Sequence, residues 1–306
     1  MTVNLRKVLV ILAGFGACVI AAWVTFSIRQ ASPGALLRRL PAGGALVLSV
    51  DFAALRNAGI LNLLGGAGVG EDPEYQAFVQ KTKFNYKQDL DLALAAFGAS
   101  GKYMLLKGRF DWNSLEAYAR AQGGGCADGL CKMQGSTPDR KISFFKLQSG
   151  VMALAVSPDD GAALRMKASG PERTISADQQ APVWLQIPPS ALKSGENLPD
   201  GTLPFAHTVD SADTILLAFQ PEGKGLAAKL DVVCRSEQDA IAMSLQLTKI
   251  TGLLKRMIEA EHQHPNPADF SGVLTSGSFR SQGNRVYGYW PIDKSFVANL
   301  AANEHQ

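Results

Sequence analysis

Four cysteines in 306 residues are too few for a disulfide-dense scaffold, and 30 glycines with 15 prolines are too few for a collagenous chain. Charge of one sign is also lacking. Thirty Lys and Arg stand against 27 Asp and Glu, a net charge of +3, which gives no warrant for nucleic acid or any highly charged partner. What remains, 46% hydrophobic and 19% charged residues, is the composition of a folded globular protein. The length allows one large or two small domains.

Common local signatures of chemistry are missing too. There is no Gly-x-Ser-x-Gly elbow, phosphate-binding Walker loop, His-Glu-x-x-His pair or c-type haem motif. The run from Gly65 to Gly70 lacks the G-x-G-x-x-G spacing and leads into Asp72, an anion where a phosphate would need positive potential, so it reads as a loop. His207, Asp210 and Ser211 lie too close in sequence to be read as a triad, whose members are assembled in space. Glu259, Glu261, His262 and His264 read as a solvated helix end stopped by Pro265 and Pro267 rather than as metal ligands. These patterns therefore name no catalytic, cofactor-binding or metal residue, and the balance leans away from an enzyme.

The strongest feature present is the uncharged stretch from Val8 to Ile28, about 21 residues and enough to cross a ~30 Å hydrocarbon core. Arg6 and Lys7 precede it, Arg29 follows, and Trp23 suits the outer interface. The reading is an uncleaved anchor partnered with the lipid bilayer, with a cleaved signal peptide ending near Thr25-Phe26-Ser27 as the alternative. Cys18 is followed by further uncharged residues, so it reads as a membrane-facing thiol and not as a lipidation site.

Flanking charge does not decide the orientation. Cys126 and Cys131 sit at C-x4-C spacing in a Gly-rich loop able to bend back on itself, and no second Cys pair or His pair lies nearby to complete a metal site. A disulfide in an oxidising compartment follows, favouring a single-pass inner-membrane protein with its bulk periplasmic or otherwise extracytoplasmic.

The remainder alternates short strands and helices. Ala45 to Val50 is a strand, Asp51 caps a helix that Gly59 stops, and Asp72-Pro73-Glu74 opens another. Strands from Leu90 to Phe97 and from Lys102 to Gly108 precede a helix capped by Asp111 or Asn113. Lys141 to Leu147 and Val151 to Val156 flank the turn Ser149-Gly150, and a helix begins at Ser157 to Asp160. The second half repeats the order: Val183 to Ile187, then a hairpin of Thr214 to Phe219 with Leu226 to Cys234. Ser236 opens the longest helix, Gly272 to Arg280 pairs with Arg285 to Pro291, and Asp293 caps a last helix. In the long helix Met243, Leu247, Ile250, Leu254 and Met257 form a stripe that packs on its own sheet over Cys234.

The expected fold class is α+β: an N-terminal transmembrane helix followed by a duplicated module of antiparallel sheets, with helices packed on one face. Residues 1–28 are the cytoplasmic stub and anchor, 29–40 a linker, 41–170 the first module and 180–302 the second.

Asp72-Pro73-Glu74-Tyr75, then Phe84-Asn85-Tyr86-Lys87-Gln88-Asp89-Leu90-Asp91 and Gly108-Arg109-Phe110-Asp111, resemble a recurrent pattern in membrane-anchored, uncharacterised bacterial proteins of acidobacteria-like lineages. Gln220-Pro221-Glu222-Gly223 and Ser236-Glu237-Gln238 fit the same pattern. Where it has Gly before an Asp-Tyr pair, this chain has Lys83-Phe84-Asn85-Tyr86. That family has no assigned activity, so the resemblance implies a membrane-anchored protein and no functional residues.

Together these features imply a membrane-anchored binding or scaffold protein with a protein partner in the envelope. An envelope enzyme with a site between the modules, or a carrier of lipid or another small ligand, stands as the alternative. If Cys126 and Cys131 are bridged, the full-length chain denatured without reductant should titrate two free thiols of its four; four would reject the bridge.

Overall fold

The computed structural model describes residues 32–41, 43–61, 73–135, 137–170, 176, 178–189, 203–209, 212–223 and 225–303. Short polar caps separate its elements. After α1 (Pro33–Leu37), strand β1 (Leu46–Asp51) ends at Asp51, whose carboxylate accepts a hydrogen bond from Ala54 N at 2.8 Å and opens α2 (Phe52–Asn57). Gly59, at φ +71°, lets the chain leave that helix.

Next come α3 (Pro73–Thr82), α4 (Tyr86–Asp89) and the hairpin of β2 (Leu90–Gly98) and β3 (Gly101–Gly108). Asp111 caps α5 (Trp112–Ala121), which leads to β4 (Gly125–Ala127), β5 (Leu130–Gln134), β6 (Lys141–Gln148), β7 (Val151–Ser157) and a 3-10 helix, Ala162–Lys167.

The second half runs β8 (Val183–Ile187), α6 (Leu203–Val209), β9 (Thr214–Glu222), β10 (Gly225–Val233), α7 (Glu237–Ala260), α8 (Phe270–Thr275), β11 (Ser278–Gln282), β12 (Arg285–Ile292) and α9 (Lys294–Asn303).

Among the described residues the strands join one antiparallel sheet of 12, in the order β11-β12-β10-β9-β8-β1-β2-β3-β7-β6-β5-β4. The seam is β1 against β8, with Leu48 opposite Leu185 and Ser49 opposite Trp184. Outward from it each flank adds a hairpin, then a second hairpin whose later strand pairs inward: β2-β3-β7-β6 on one side, β9-β10-β12-β11 on the other. The repeated element order is therefore real, but the expected pair of separate sheets is not. An antiparallel module ending in β1 or β8 would leave a row of unpaired backbone groups, and each strand satisfies the other's.

Helices also lie on both faces, against the one-face expectation. On one face Leu36, Leu37 and Leu40, with Ala162, Ala163 and Met166 of the 3-10 helix, cover Leu94, Leu105 and Ala153. On the other, Leu115 and Ala119 of α5 cover Phe144 and Met152, while Met243 and Leu247 of α7 cover Ile215, Leu230 and Val232.

The anchor reading needs correction as well. Val8 to Ile28 lies outside the described residues, and among those residues no helix is long and apolar enough to cross a membrane. The longest, α7, has 24 residues and is amphipathic, with Lys249, Lys255 and Arg256 exposed. The N-terminal transmembrane helix and the single-pass inner-membrane location therefore have no support in the structure.

Three local readings change. Gly272 lies in α8 and not in a strand, because Asp269 caps that helix and accepts from Ser271 N at 2.8 Å. The segment after Ser157 forms a 3-10 helix with Gly161 at its cap position and Ser143 Oγ accepting from Ala163 N at 3.1 Å. The β4-β5 hairpin was not expected; Asp128 and Gly129, at φ +50° and +75°, form a turn of the primed kind that hairpins favour. The α7 stripe does pack on the sheet at Met243 and Leu247, but Met257 is 55% exposed, so the stripe leaves the sheet in the last turns. Cys234 is buried beneath the helix, 3.8 Å from Met243 Sδ, and burial pushes its thiol pKa up.

Leu247 is fully buried, so Leu247→Ala should destabilise the protein by about 2–5 kcal/mol in chemical denaturation, whereas the exposed Leu245→Ala should cost much less. Asp111, Asp269 and Asp293 are held below the ordinary carboxylate range, first by hydrogen bonds from the side chains of Ser114, Ser271 and Ser295. Their contribution is present above the unfolded value near ~4 and is lost as pH falls through the lower folded values. Replacing all three by Asn should flatten the acid limb of a stability-versus-pH curve from urea melts; an unchanged limb would show that these caps do not set it.

Candidate functional site

One row of cross-strand partners traverses the sheet and shows where its character changes. Leu130, Phe145, Ala153, Leu105, Leu94, Ser49, Trp184, Ala218, Lys229, Tyr289 and Ser278 stand opposite one another in successive pairs and so share a face. The row is apolar through Ala218, apart from the buried Ser49, and α1 and the 3-10 helix seal it over the first flank. From Lys229 onward it is polar. Among the described residues only a 3-10 turn, Asp178–Gln180, packs on this face of the second flank, against β8 and β9. The neighbouring row ends Asp231, Tyr287, Arg280.

These residues surround an open hollow of about 520 Å³ lined by Asp178, Lys229, Ser278, Arg280, Tyr287 and Tyr289. Period-two alternation along β12 puts Arg285, Tyr287 and Tyr289 on the open face while Val286 and Gly288 face the helices. Gly288 packs tightly there: a Cβ would lie 3.1 Å from Leu230 Cβ, Phe279 Cε1 and Trp290 Cζ3, so those side chains would have to shift.

Besides Asp178 on the rim, two acidic groups beside the hollow are already engaged. Asp231, 5% exposed, takes both arms of the Arg285 guanidinium, with Nε to Oδ1 at 3.1 Å, and this carboxylate raises the arginine's pKa further. The Tyr289 hydroxyl donates to the Glu222 carboxylate, which holds the phenol proton above its usual range. Arg280 lies over the Tyr287 ring at 4.5 Å from the centroid. Lys229 has no ion pair among the described residues. The hollow thus offers two phenol rings, an ammonium, a guanidinium, a hydroxyl and the Asp178 carboxylate: surfaces for stacking with donors and an acceptor for hydrogen bonds, suited to holding a polar partner.

The sequence-predicted bridge is present. Cys126 and Cys131 are bonded, directly opposite in the β4-β5 ladder with Cα atoms 4.0 Å apart. His207 is exposed on α6, while Asp210, Ser211 and the Gly65 to Gly70 run lie outside the described residues. Glu259, Glu261, His262 and His264 are exposed, and no group of three or more metal-ligating side chains gathers among the described residues.

The residues carrying the family resemblance form a structural joint. Asn85 caps α4, Phe84 stacks on Phe110 at 5.2 Å, and Arg109 pairs with Asp89 at 3.0 Å. Gly108 is needed where a Cβ would come within 2.2 Å of the Asp89 carbonyl. The hollow itself was missed, although the outward phase of Lys229 and Asp231 was legible; the further signal was Arg285, Tyr287 and Tyr289 in the same period.

No family model matches the chain, and no curated protein matches it. Solved structures do. Crystal form I of TP0453 superposes with a TM-score of 0.50 at 11% identity, covering 90% of this chain and 98% of that one. Crystal form III gives 0.50 at 12% identity, covering 87% and 96%. At such identity the likeness shows a shared fold alone.

Proposed function

We propose that the chain acts by binding, as a scaffold or subunit of a larger assembly, and that the open flank over β10 to β12 is its recognition face. One observation carries this reading: the sheet face sealed by apolar helices on one flank presents Lys229, Arg280, Tyr287 and Tyr289 around a hollow on the other. Tyr287 and Tyr289 are half-buried and Arg280 is exposed, and tyrosine and arginine are the side chains most often found anchoring interfaces. The bridge between Cys126 and Cys131 suits a protein working in an oxidising compartment, where an envelope partner would be met.

Two features weigh against the alternatives. An enzyme with its site between the halves needs a cleft there, and the seam is instead a strand pair in register from Val47 to Val50. A carrier of apolar ligands needs an enclosed greasy cavity, whereas the hollow is open and rimmed by charged and phenolic groups.

A photo-crosslinking residue placed at Arg280 or Ser278 in the full chain, expressed in its source cells, should give a discrete adduct. The same probe at Gln246, exposed on α7, should not. The adduct should fall several-fold when Lys229 and Tyr289 are changed to Ala in a chain that still melts cooperatively. No adduct from either rim position, or equal labelling from Gln246, would overturn the reading.

A further inference from the structure

The walls of the open hollow restrict what the recognition face can hold. The side chains that reach it from the strands are those of Lys229, Tyr287, Tyr289, Ser278 and Arg280, with Asp178 at the rim from the 3-10 turn. Leu230 and Phe279 also border it, but their side chains alternate to the other face and pack in the core under α7. Among the described residues, therefore, no aliphatic side chain is offered for a greasy anchor to bury against.

Charge on this face cancels. Asp178, Asp231 and Glu222 stand against Lys229, Arg280 and Arg285, so the face as a whole favours an ion of neither sign. Asp231 is closed by Arg285, and Glu222 takes the Tyr289 hydroxyl. What is left is a mixed set of hydrogen-bonding groups. The side chains of Asp178, Lys229 and Ser278 make no hydrogen bond or ion pair, and Arg280 spends only Nη1, on the neutral Gln282 Oε1 at 3.3 Å. A carboxylate only accepts, an ammonium and a guanidinium only donate, and a hydroxyl does both. A ligand that satisfies all of them must donate and accept at closely spaced points without carrying charge, which is the property of a polyol.

The phenol rings add a second requirement. Tyr287 and Tyr289 stand two residues apart on β12, about 7 Å along the strand, and share the open face. Arg280 already covers the Tyr287 ring, whereas Tyr289 is held through its hydroxyl and keeps its ring as a platform. A pyranose in its chair form meets both demands, because its C–H groups make an apolar patch for a phenol while its hydroxyls radiate from the rim.

We infer that the hollow binds uncharged pyranose rings of a glycan, with Tyr289 as the stacking surface, Asp178 accepting from sugar hydroxyls, and Lys229, Ser278 and Arg280 donating to them. Its volume of about 520 Å³ lies within the ~300–1,000 Å³ of small-ligand sites, and its open side lets a chain of sugars continue past. This inference rests on the reading of the flank as a recognition face and names the chemistry of what is met there.

The test is saturation-transfer NMR with calorimetric titration of the full chain, using maltotetraose, cellotetraose and N-acetylchitotetraose, with sorbitol as an open-chain polyol and tetragalacturonate as a charged sugar. At least one neutral tetrasaccharide should bind saturably, with transfer strongest at ring C–H protons. Its affinity should not change between about 50 and 300 mM salt, since an uncharged ligand is not screened. Sorbitol should not bind, and tetragalacturonate should bind no better than the neutral sugars. Y289A should weaken binding about tenfold or more, while Y289F, which keeps the ring, should stay within about threefold of wild type. D178A, which changes only the rim, should weaken it several-fold and carries the test if Y289A does not fold; Q246A on α7 should change nothing. No binding by any of the three sugars, salt-dependent binding, or folded variants that bind as wild type does would overturn the assignment. A polypeptide crosslinked at Arg280 without any sugar binding would overturn it too, and leave the recognition face standing. Sugar binding with no adduct in cells would keep this site and remove the assembly.

Discussion

The pairing of β1 with β8 is the contact on which the rest of the architecture depends. Each flank is a five- or seven-stranded run whose innermost strand would present unpaired amides and carbonyls to water, and the seam removes both rows at once. It also sets the register of everything outward. Ser49 opposite Trp184 fixes which residues of β9, β10 and β12 share a face with the first flank's core, because a slip of one residue would turn every side chain over. Ser49 is 3% exposed and Trp184 equally so, which places the join inside the core and not at a hinge.

From this single register the two flanks take different covers. On the first, small residues in β7, Ala153 and Ala155, let α1 and the 3-10 helix lie close over the sheet. On the second, the equivalent face carries Lys229, Asp231 and the tyrosines of β12, which no apolar helix could bury without leaving charges unpaired. The ion pair of Asp231 with Arg285 is consistent with that difference: a carboxylate deep between strands is tolerable because a guanidinium with access to solvent closes over it. An opened face on one flank and a sealed one on the other therefore come from side-chain chemistry laid on a repeated strand order.

Local punctuation was the most legible part of the fold. Asp51 with Gly59, Asp111, Ser149 with Gly150, and Ser236 all mark boundaries where expected, since each acts on hydrogen bonds a few residues away. Gly272 was misread because a glycine leading into Val273 and Leu274 resembles a strand start, whereas the deciding group was the Asp269 cap three residues earlier. The Asp128-Gly129 turn was hidden inside a glycine-rich run read only for its cysteines. Pairing across the seam was not legible, because alternation says which residues share a face and nothing about which strand comes next. For the same reason the outward phase of Lys229 could be seen in the sequence, but its meeting with Tyr289 and Ser278 could not.

An open sheet of twelve strands has two ends, and both are poor templates for another chain. One is β4, only three residues long and clamped to its neighbour by sulfur; the other is β11, five residues with Arg280 at its centre. A width that would otherwise invite end-on stacking into fibres is closed off by brevity on one side and charge on the other, so the molecule can be broad without becoming adhesive along its rims.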